Sequence, residues 1–453
     1  MCRDNVKMDN ISRKFARFSV QVRFEALSAE QVENLKLFIL DWIGSAYAGS
    51  KERPVKIMSG LVKAFGRTPD STIIPLNLKG PCLFAALVNG ASSHVVEMDD
   101  LHRESVLHPA AAILPAVFAA AEREKVSGRD LIIGAMVGYE VGIRVALGVG
   151  KSHYRYWHTT GTCGTFGAAA GSGKVLELNE DQFVWALGLA GTQSSGLWEF
   201  LAESAMSKQL HAGKSAMNGL LSALLAKEGF TGASRILEGE KGFFKATSSD
   251  YDPQRCVEGL GQDFFFTRNS LKYYPSCGHT HSAIDAAIKA TGGRAMDPEE
   301  IQEVRVFLYN EAIELLGEIR PITPYLSKFS LPFCVALAIG TGKVEREDFS
   351  QNRLQDPRIQ RLMGLIKVLE DKELSSKYPR KWPAVAEIHT KGGKLLRGKS
   401  DYPKGDPENP LSEGEVIEKF FSLTKGILPP AKANNIVEGV MSLEKVKDVS
   451  QLL

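Results

Sequence analysis

Long helical segments rich in alanine and glycine fill most of residues 28 to about 260 and constrain the fold more than any other feature. Two examples are SGRDLIIGAMVGYEVGIRVALG at 127–148 and HAGKSAMNGLLSALLAKEGF at 211–230. Apolar residues recur at helical spacing in both, and the small residues between them let neighbouring helix backbones pack closely. Ser127 stands three residues before Asp130, which is the spacing of a capping box at a helix N-terminus. These segments predict a large helical domain whose helices are buried on several sides.

A change of pattern near residue 266 predicts a second, smaller domain. The segment Val304–Tyr309 is rich in strand-forming residues, and 384–403 has the alternation of a hairpin that turns at Gly392 and Gly393. Helical patterns lie between them at 328–342 and 356–371. We predict a mainly α protein with a large all-helical domain over residues 1–265, a smaller α+β lid domain over 266–405, and a C-terminal segment, 406–453, that returns to the large domain.

Charge and composition argue against several classes of protein. The net charge is +2 and the pI is near 8.1, whereas nucleic-acid binding would need a clustered basic face. The six cysteines are scattered without a C-x-x-C pair, which argues against a disulfide framework and against a zinc or iron–sulfur site. The first residues lack the apolar run of a signal peptide, and no stretch reaches the ~18 uninterrupted apolar residues of a membrane span. We therefore expect a cytoplasmic protein that binds neither nucleic acid nor membrane.

The segment GTCGTFGAAAGSGK at 161–174 resembles two nucleotide-binding motifs but satisfies neither. Its first glycines are spaced G-x-x-G-x-x-G, not G-x-G-x-x-G, and no βαβ pattern surrounds them. A phosphate-binding loop would need glycine and a hydroxyl residue where Ala168 and Val175 stand. The sequence therefore does not predict a nucleotide site.

Ionisable residues flanked by Gly, Ala, Ser or Thr recur within otherwise apolar helical sequence. The densest segment is EMDDLHRESVLHPA at 97–110, and the others surround His158, the pair Lys208 and His211, and Lys272. Each has a simple structural explanation: a histidine can cap a helix, acids favour a helix N-terminus, and a lysine–histidine pair can lie on an exposed helix face. Buried ionisable groups are costly unless they converge and satisfy one another, so the repetition predicts one site. We expect two further histidines, His94 and His389, to be structural.

These residue types suit one kind of chemistry. Lysines, histidines and hydroxyls bind carboxylates, a neutral histidine can take a proton from a carbon beside a carboxylate, and a second histidine can protonate a leaving hydroxyl. The residues alone therefore favour cofactor-free proton transfer on a polycarboxylate, in a cleft between the two domains.

Five blocks of sequence, in order, carry a resemblance to a known family. They are SSHVVEMDDLHRESVLHPAAAILPAVFAAAE, WHTTGTCGTFGAAAGSGKVLEL, SKQLHAGKSAMNGLLSALLAKEGFTG, LKYYPSCGHTHSAIDA and SKFSLPFCVALA. The sequence resembles the MmgE/PrpD family, which includes 2-methylcitrate dehydratases, cis-aconitate decarboxylases and iminodisuccinate epimerases. The resemblance implies a helical domain built from both chain ends, a small α+β lid domain, a homodimer, an active site between the domains, and neither cofactor nor metal.

The resemblance also assigns site residues. The acidic box of the family falls on Glu97 (where the family has Asp), Asp99 and Asp100, and its other motifs fall on His108, His158, Lys208, His211, Lys272, His281 and Lys328. Of these, His108, His158, Asp99 and Lys208 are the predicted catalytic residues, and the others are predicted to bind substrate. Cys277 stands where the decarboxylases carry a histidine.

The leading hypothesis is a dehydratase (a hydro-lyase) acting on a small di- or tricarboxylic hydroxy acid such as 2-methylcitrate. One of His108 and His158 would abstract the α-proton and the other would protonate the departing hydroxyl, while Asp99 and Asp100 orient the imidazoles. Lys208, Lys272 and Lys328 would hold carboxylates as point charges. The alternatives are an epimerase of an iminodisuccinate-like dicarboxylate, a cis-aconitate-type decarboxylase, and a binding protein without catalysis.

Overall fold

The computed structural model describes residues 10–65, 68–203 and 205–453, and these residues separate into two compact units. The first unit runs to Asn269 and is completed by Ser412–Leu453, and the second unit is Ser270–Leu411. The unit boundaries thus lie four and six residues beyond the sequence-predicted ones at 265 and 405. Cys2 lies outside the described residues, and the other five cysteines form no disulfide within the part of the chain that the structure describes.

The first unit is built mainly from helices. In the first part of the chain these are α1 (Ile11–Gln21), α2 (Ala29–Gly49), α3 (Arg53–Lys63), α4 (Cys82–Val95), α5 (Pro109–Glu124), α6 (Gly128–Val149), α7 (Lys151–Tyr154), α8 (Thr159–Val175), α9 (Glu180–Gln193), α10 (Phe200–Glu203), α11 (Ser207–Lys227) and α12 (Phe243–Thr247). A short antiparallel ribbon of β1 (Ser71–Ile73) and β2 (Leu78–Gly80) also belongs to this unit. The prediction of an all-helical large domain was therefore wrong at this ribbon, whose three-residue strands are too short to show a period-2 pattern.

Close approach of helix backbones builds the core of the first unit. Helices α5, α6, α9 and α11 all pack against α8, which is buried along almost its whole length. A Cβ atom added to Gly167 would lie 2.7 Å from the carbonyl oxygen of Gly138, and one added to Gly213 would lie 2.2 Å from that of Leu87. A side chain at Gly167 would push α8 away from α6, and one at Gly213 would push α11 away from α4. The small residues therefore set the helix spacing, as their frequency in the sequence predicts.

Predicted helix starts are present in the structure. Ser127 and Asp130 form the reciprocal bonds of a capping box at the start of α6, as predicted. Ser28 does the same at the start of α2, with Gln31 as its partner. Helix α6 is long and apolar enough to cross a membrane by length and composition, but its apolar stretch is completely buried in the protein, as in a core helix.

The second unit combines a four-stranded sheet with helices. Its elements are α13 (Gly278–Thr291), β3 (Ile301–Leu308), α14 (Asn310–Leu316), α15 (Pro324–Ser327), α16 (Leu331–Thr341), α17 (Gln351–Leu354), α18 (Pro357–Leu365), β4 (Ile366–Glu370), α19 (Lys372–Ser375), β5 (Ala384–Thr390) and β6 (Leu395–Ser400). The strand order is β4-β3-β5-β6, with β3 and β4 parallel and the other pairs antiparallel. The hairpin predicted to turn at Gly392 and Gly393 joins β5 to β6.

One helix prediction in the second unit was wrong over its C-terminal third. The segment 356–371 begins as helix α18, but Ile366–Glu370 forms the edge strand β4, paired with β3 from Val304↔Ile366 to Leu308↔Glu370. A short segment that mixes apolar and charged residues, such as IKVLE at 366–370, is compatible with either state, and the parallel partner strand, which is distant in sequence, decides between them.

After the second unit the chain returns to the first as α20 (Glu413–Thr424) and α21 (Pro430–Met441). Helix α20 packs against α2, and the Lys419 ammonium on α20 lies 2.5 Å from Asp41 and donates to the carbonyl oxygen of Met98 at 2.8 Å. The C-terminal segment thus fixes the loop that carries the acidic box.

Candidate active site

The loop between α4 and α5 carries the acidic box and is anchored by Asp100. The carboxylate of Asp100 accepts hydrogen bonds from the backbone N–H of Ala110 (2.9 Å), the Tyr139 hydroxyl (2.7 Å) and the Asn269 amide (2.6 Å). Burial raises the pKa of Asp100 to about 7, while these three donors oppose the rise. Asp100 therefore satisfies the N-terminus of α5 and holds the loop, and its predicted contact with substrate remains a prediction.

His108 is the N-cap residue of α5, and its tautomer follows from its contacts. Its Nδ1 atom lies 2.6 Å from the backbone carbonyl oxygen of Asp100 and 3.4 Å from a carboxylate oxygen of Asp99. Because a carbonyl oxygen can only accept, Nδ1 carries a proton, and neutral His108 has its lone pair on Nε2. The side chain is 13% exposed, which makes it the most accessible histidine of the cluster described below.

His94, near the end of α4, forms a buried pair with Asp99. Its Nδ1 atom lies 2.6 Å from Oδ2 of Asp99, and both side chains are completely buried. The His94 ring also packs edge-on against His108, with ring centroids 5.1 Å apart, and stacks on His158 at 5.5 Å. His94 thus contacts two of the predicted catalytic histidines, although the sequence analysis expected it to be structural.

His158 is the N-cap residue of α8 and is buried. Its Nδ1 atom lies 3.3 Å from Nδ1 of His211 on α11, so one ring donates and the other accepts. Burial and the neighbouring positive groups lower the pKa of His158 well below its usual value. Burial, together with the charge of Lys214, lowers the pKa of His211 to about 4. Both rings are therefore neutral at pH 7.

Lys208 and His211 lie one turn apart on α11, as their spacing predicts. The Lys208 ammonium forms an ion pair with the carboxylate of Glu97, and the two side chains are only 3% and 1% exposed. Glu97 has a left-handed backbone conformation with φ of 59°. The chain therefore turns sharply after α4, and the carboxylate of Glu97 reaches α11.

Comparison with known proteins identifies the family. The MmgE/PrpD N-terminal domain matches residues 13–256, and the MmgE/PrpD C-terminal domain matches residues 274–445. The chain belongs to the MmgE/PrpD family. This confirms the resemblance inferred from the five sequence blocks and the mainly α fold with a smaller α+β domain.

Two curated relatives match nearly the whole chain. The cis-aconitate decarboxylase-like protein oryM of Aspergillus oryzae is 27% identical over 99% of this chain and 98% of its own length. The cis-aconitate decarboxylase of Homo sapiens is 24% identical over 98% of this chain and 94% of its own. The 2-methylcitrate dehydratase of Cupriavidus necator is 24% identical over 58% of this chain and 57% of its own. Both kinds of relative are lyases.

The structure places seven of the family-box residues in the first unit. Glu97, Asp99, Asp100, His108, His158, Lys208 and His211 lie on the loop after α4, at the starts of α5 and α8, and on α11. The ring contacts link His108, His94, His158 and His211 in that order, and we call these four residues the histidine cluster.

The other three predicted residues, Lys272, His281 and Lys328, belong to the second unit. Lys272 is buried, and its charge contributes after burial to lowering the pKa of His279 to about 3. Nε2 of His281 lies 3.3 Å from the carbonyl oxygen of Ser276, and Lys328 lies over the ring of Phe349. Their predicted role in holding carboxylates remains a prediction.

His94, Asp99 and His108 bring potential metal ligands within 4.8 Å of one another. The Nδ1 atom of His94 and Oδ2 of Asp99 are 2.6 Å apart, however, which is a hydrogen-bond distance. Two ligands of one tetrahedral ion at ~2.0 Å would lie roughly 3.3 Å apart. The arrangement therefore fits a hydrogen-bonded carboxylate–imidazole pair better than a set of metal ligands.

Proposed function

We propose that this member of the MmgE/PrpD family is a cofactor-independent lyase acting on a small di- or tricarboxylic acid by imidazole acid–base chemistry. The observation that carries the proposal is the histidine cluster, in which two helix N-cap histidines, His108 and His158, both contact the ring of His94, which is paired with Asp99. The names of the relatives supply the substrate class.

The contacts support different roles for His108 and His158. The lowered pKa of His158 keeps its ring neutral, which suits a base. If its Nδ1–H donates to His211, the lone pair of His158 lies on Nε2, and His211 presents its own Nε2–H to a substrate carboxylate. His108 suits the acid, because the Asp100 carbonyl and the Asp99 carboxylate would both stabilise its imidazolium form.

With these roles the dehydratase reaction balances. Nε2 of His158 takes the α-proton, the electrons of the C–H bond form the double bond, and the hydroxyl leaves as water with a proton from Nε2 of His108. Decarboxylation is the second candidate, because the two relatives that match 98–99% of the chain are named as a cis-aconitate decarboxylase-like protein and a cis-aconitate decarboxylase. In that reaction CO₂ leaves and His108 protonates the resulting carbanion.

Proton NMR of the purified protein in D₂O tests the proposal, with 2-methylcitrate, citrate, cis-aconitate and iminodisuccinate as substrates. New vinyl signals from a hydroxy acid would identify a dehydratase. Loss of one carboxyl group from cis-aconitate would identify a decarboxylase, and exchange at an α-carbon without a new vinyl signal would identify an epimerase. Tight binding of an acid without turnover would favour a binding protein instead.

Substitution of the two proposed acid–base histidines tests the mechanism, whichever acid is the substrate. His108→Gln and His158→Gln should each lower kcat by about 10²–10⁴, the usual contribution of a positioned acid or base. His389→Gln is the matched control, since His389 lies half-buried on β5 in the second unit. Normal turnover in both site variants would refute the mechanism.

A further inference from the structure

His94 is a buried histidine that the proposed mechanism does not use, and one of its nitrogen atoms is unsatisfied. Its Nδ1 bonds to Asp99, but Nε2 has no hydrogen-bond partner within 10–65, 68–203 and 205–453. Leaving a buried polar group without a partner costs about 1–3 kcal/mol, which an apolar residue of similar size would avoid. A merely structural ring at this position would not need to be an imidazole.

The surroundings of His94 give the imidazole a specific use. Its ring packs edge-on against the proposed acid, His108, and stacks on the proposed base, His158. Asp99 fixes the ring orientation by holding Nδ1. A positive charge on His94 would also disfavour a proton on His158, because the ring centroids are only 5.5 Å apart in a buried environment.

We propose that His94, held by Asp99, is a positioning residue that orients the rings of His108 and His158 and keeps His158 in its basic form. The inference rests on the acid–base function proposed above and adds a third histidine to it. The lowered pKa of His158 agrees with this geometry. After burial, its largest cause is the electrostatic effect of His94.

Other charged and titratable groups lie on the elements around His94. They include Asp41 on α2, Glu97, Asp99 and Asp100 on the loop, His108, His158, and Lys208 and His211 on α11. Most of them are already engaged: Lys208 pairs with Glu97, Lys419 pairs with Asp41, and Asp100 caps α5. Asp99 is the carboxylate in direct contact with the His94 ring.

His94→Asn is the decisive variant, because the asparagine amide can still donate to Asp99 while the titratable ring is lost. His94→Phe, which keeps the ring volume, is the second variant if the first does not fold. His153→Asn is the control. His153 is also completely buried in the first unit, but its two nitrogens bond to the Thr247 carbonyl and the Thr162 hydroxyl.

The first readout is NMR of ¹⁵N-labelled histidine side chains, which needs no substrate. We expect the titration of His158 to move up by about one to two pH units in His94→Asn and to stay in place in His153→Asn. The acid limb of the kcat profile should move by the same amount, about 10-fold in kcat per pH unit on that limb, with KM within about twofold.

An unmoved His158 titration in His94→Asn, or an equal movement in His153→Asn, would overturn the role of His94. Failure of the proposed function has a different signature: wild-type protein would turn over none of the acids, or His158→Gln would be as active as wild type. The NMR titration decides the role of His94 in either case.

Discussion

Removing the Lys208 ammonium should destabilise the protein strongly, because it leaves the Glu97 carboxylate as a buried charge without its cation. The two side chains are 3% and 1% exposed, so solvent screens the remaining charge very little. Breaking a buried ion pair by removing one partner typically costs about 3–5 kcal/mol. We expect Lys208→Met to lower the free energy of unfolding by that amount.

A double-mutant cycle separates this structural cost from the predicted role of Lys208 at the site. Glu97→Gln removes the buried charge, so Glu97→Gln/Lys208→Met should recover at least ~2 kcal/mol of the loss. Activity should not recover, because the cation that would hold a substrate carboxylate is still absent. The measurements are urea unfolding followed by circular dichroism, and kcat and KM for whichever acid is turned over.

The matched control is Lys245→Met, which breaks an ion pair with Glu240 whose side chains are 51% and 82% exposed. It should leave the unfolding midpoint unchanged. If Lys208→Met is as stable as this control, the reasoning about the buried charge is wrong. If the double variant regains activity together with stability, Lys208 has a structural role and the predicted contact with substrate is wrong.

Two further predictions concern packing and pH. Gly213→Ala should lower the free energy of unfolding by about 1–3 kcal/mol, since its Cβ would lie 2.2 Å from the Leu87 carbonyl oxygen. Gly60→Ala on α3, with no atom within 4 Å of the added Cβ, should raise it by roughly 0.5–1 kcal/mol, and thermal unfolding of both variants checks the pair. Burial lowers the pKa of His153 to about 4, so the ring stays neutral in the folded protein while the same histidine in the unfolded chain takes up a proton below pH ~6.5. The free energy of unfolding is therefore highest above pH ~6.5 and falls as the pH drops below that value. Wild type should therefore lose about 1.4 kcal/mol per pH unit relative to His153→Asn between pH 6 and 5, and a constant difference in urea titrations would contradict this.

Local patterns predicted much of the fold. Helical spacing, small residues and the Ser127 capping box predicted the helices of the first unit, and the paired glycines at 392–393 predicted a hairpin. The patterns failed at 366–370, where the end of a predicted helix forms a strand, and at the β1–β2 ribbon. Both failures involve short segments, for which the partner strand decides the conformation.

At the candidate site, the difference between what local patterns predict and what folding decides is larger than in the rest of the fold. The sequence by itself determined which residue types were available: an acidic box followed by a histidine before a proline, a second histidine before small residues, and a lysine one turn from a histidine. Each of these is a local pattern, and the resemblance to the family assigned them to one site. The sequence also placed Asp99 and Asp100 side by side on one loop, but no local pattern showed which groups each carboxylate contacts.

Only the tertiary structure decided which groups each of these residues contacts. It turned Asp100 inward to Tyr139 and Asn269, paired Glu97 with Lys208 across 111 positions, and placed His94 between His108 and His158. These contacts join α4, α5, α6, α8 and α11, which are adjacent because glycine and alanine let their backbones approach. No pattern within one segment encodes such a contact, because the energy of a buried charge or imidazole depends on the groups that folding brings around it.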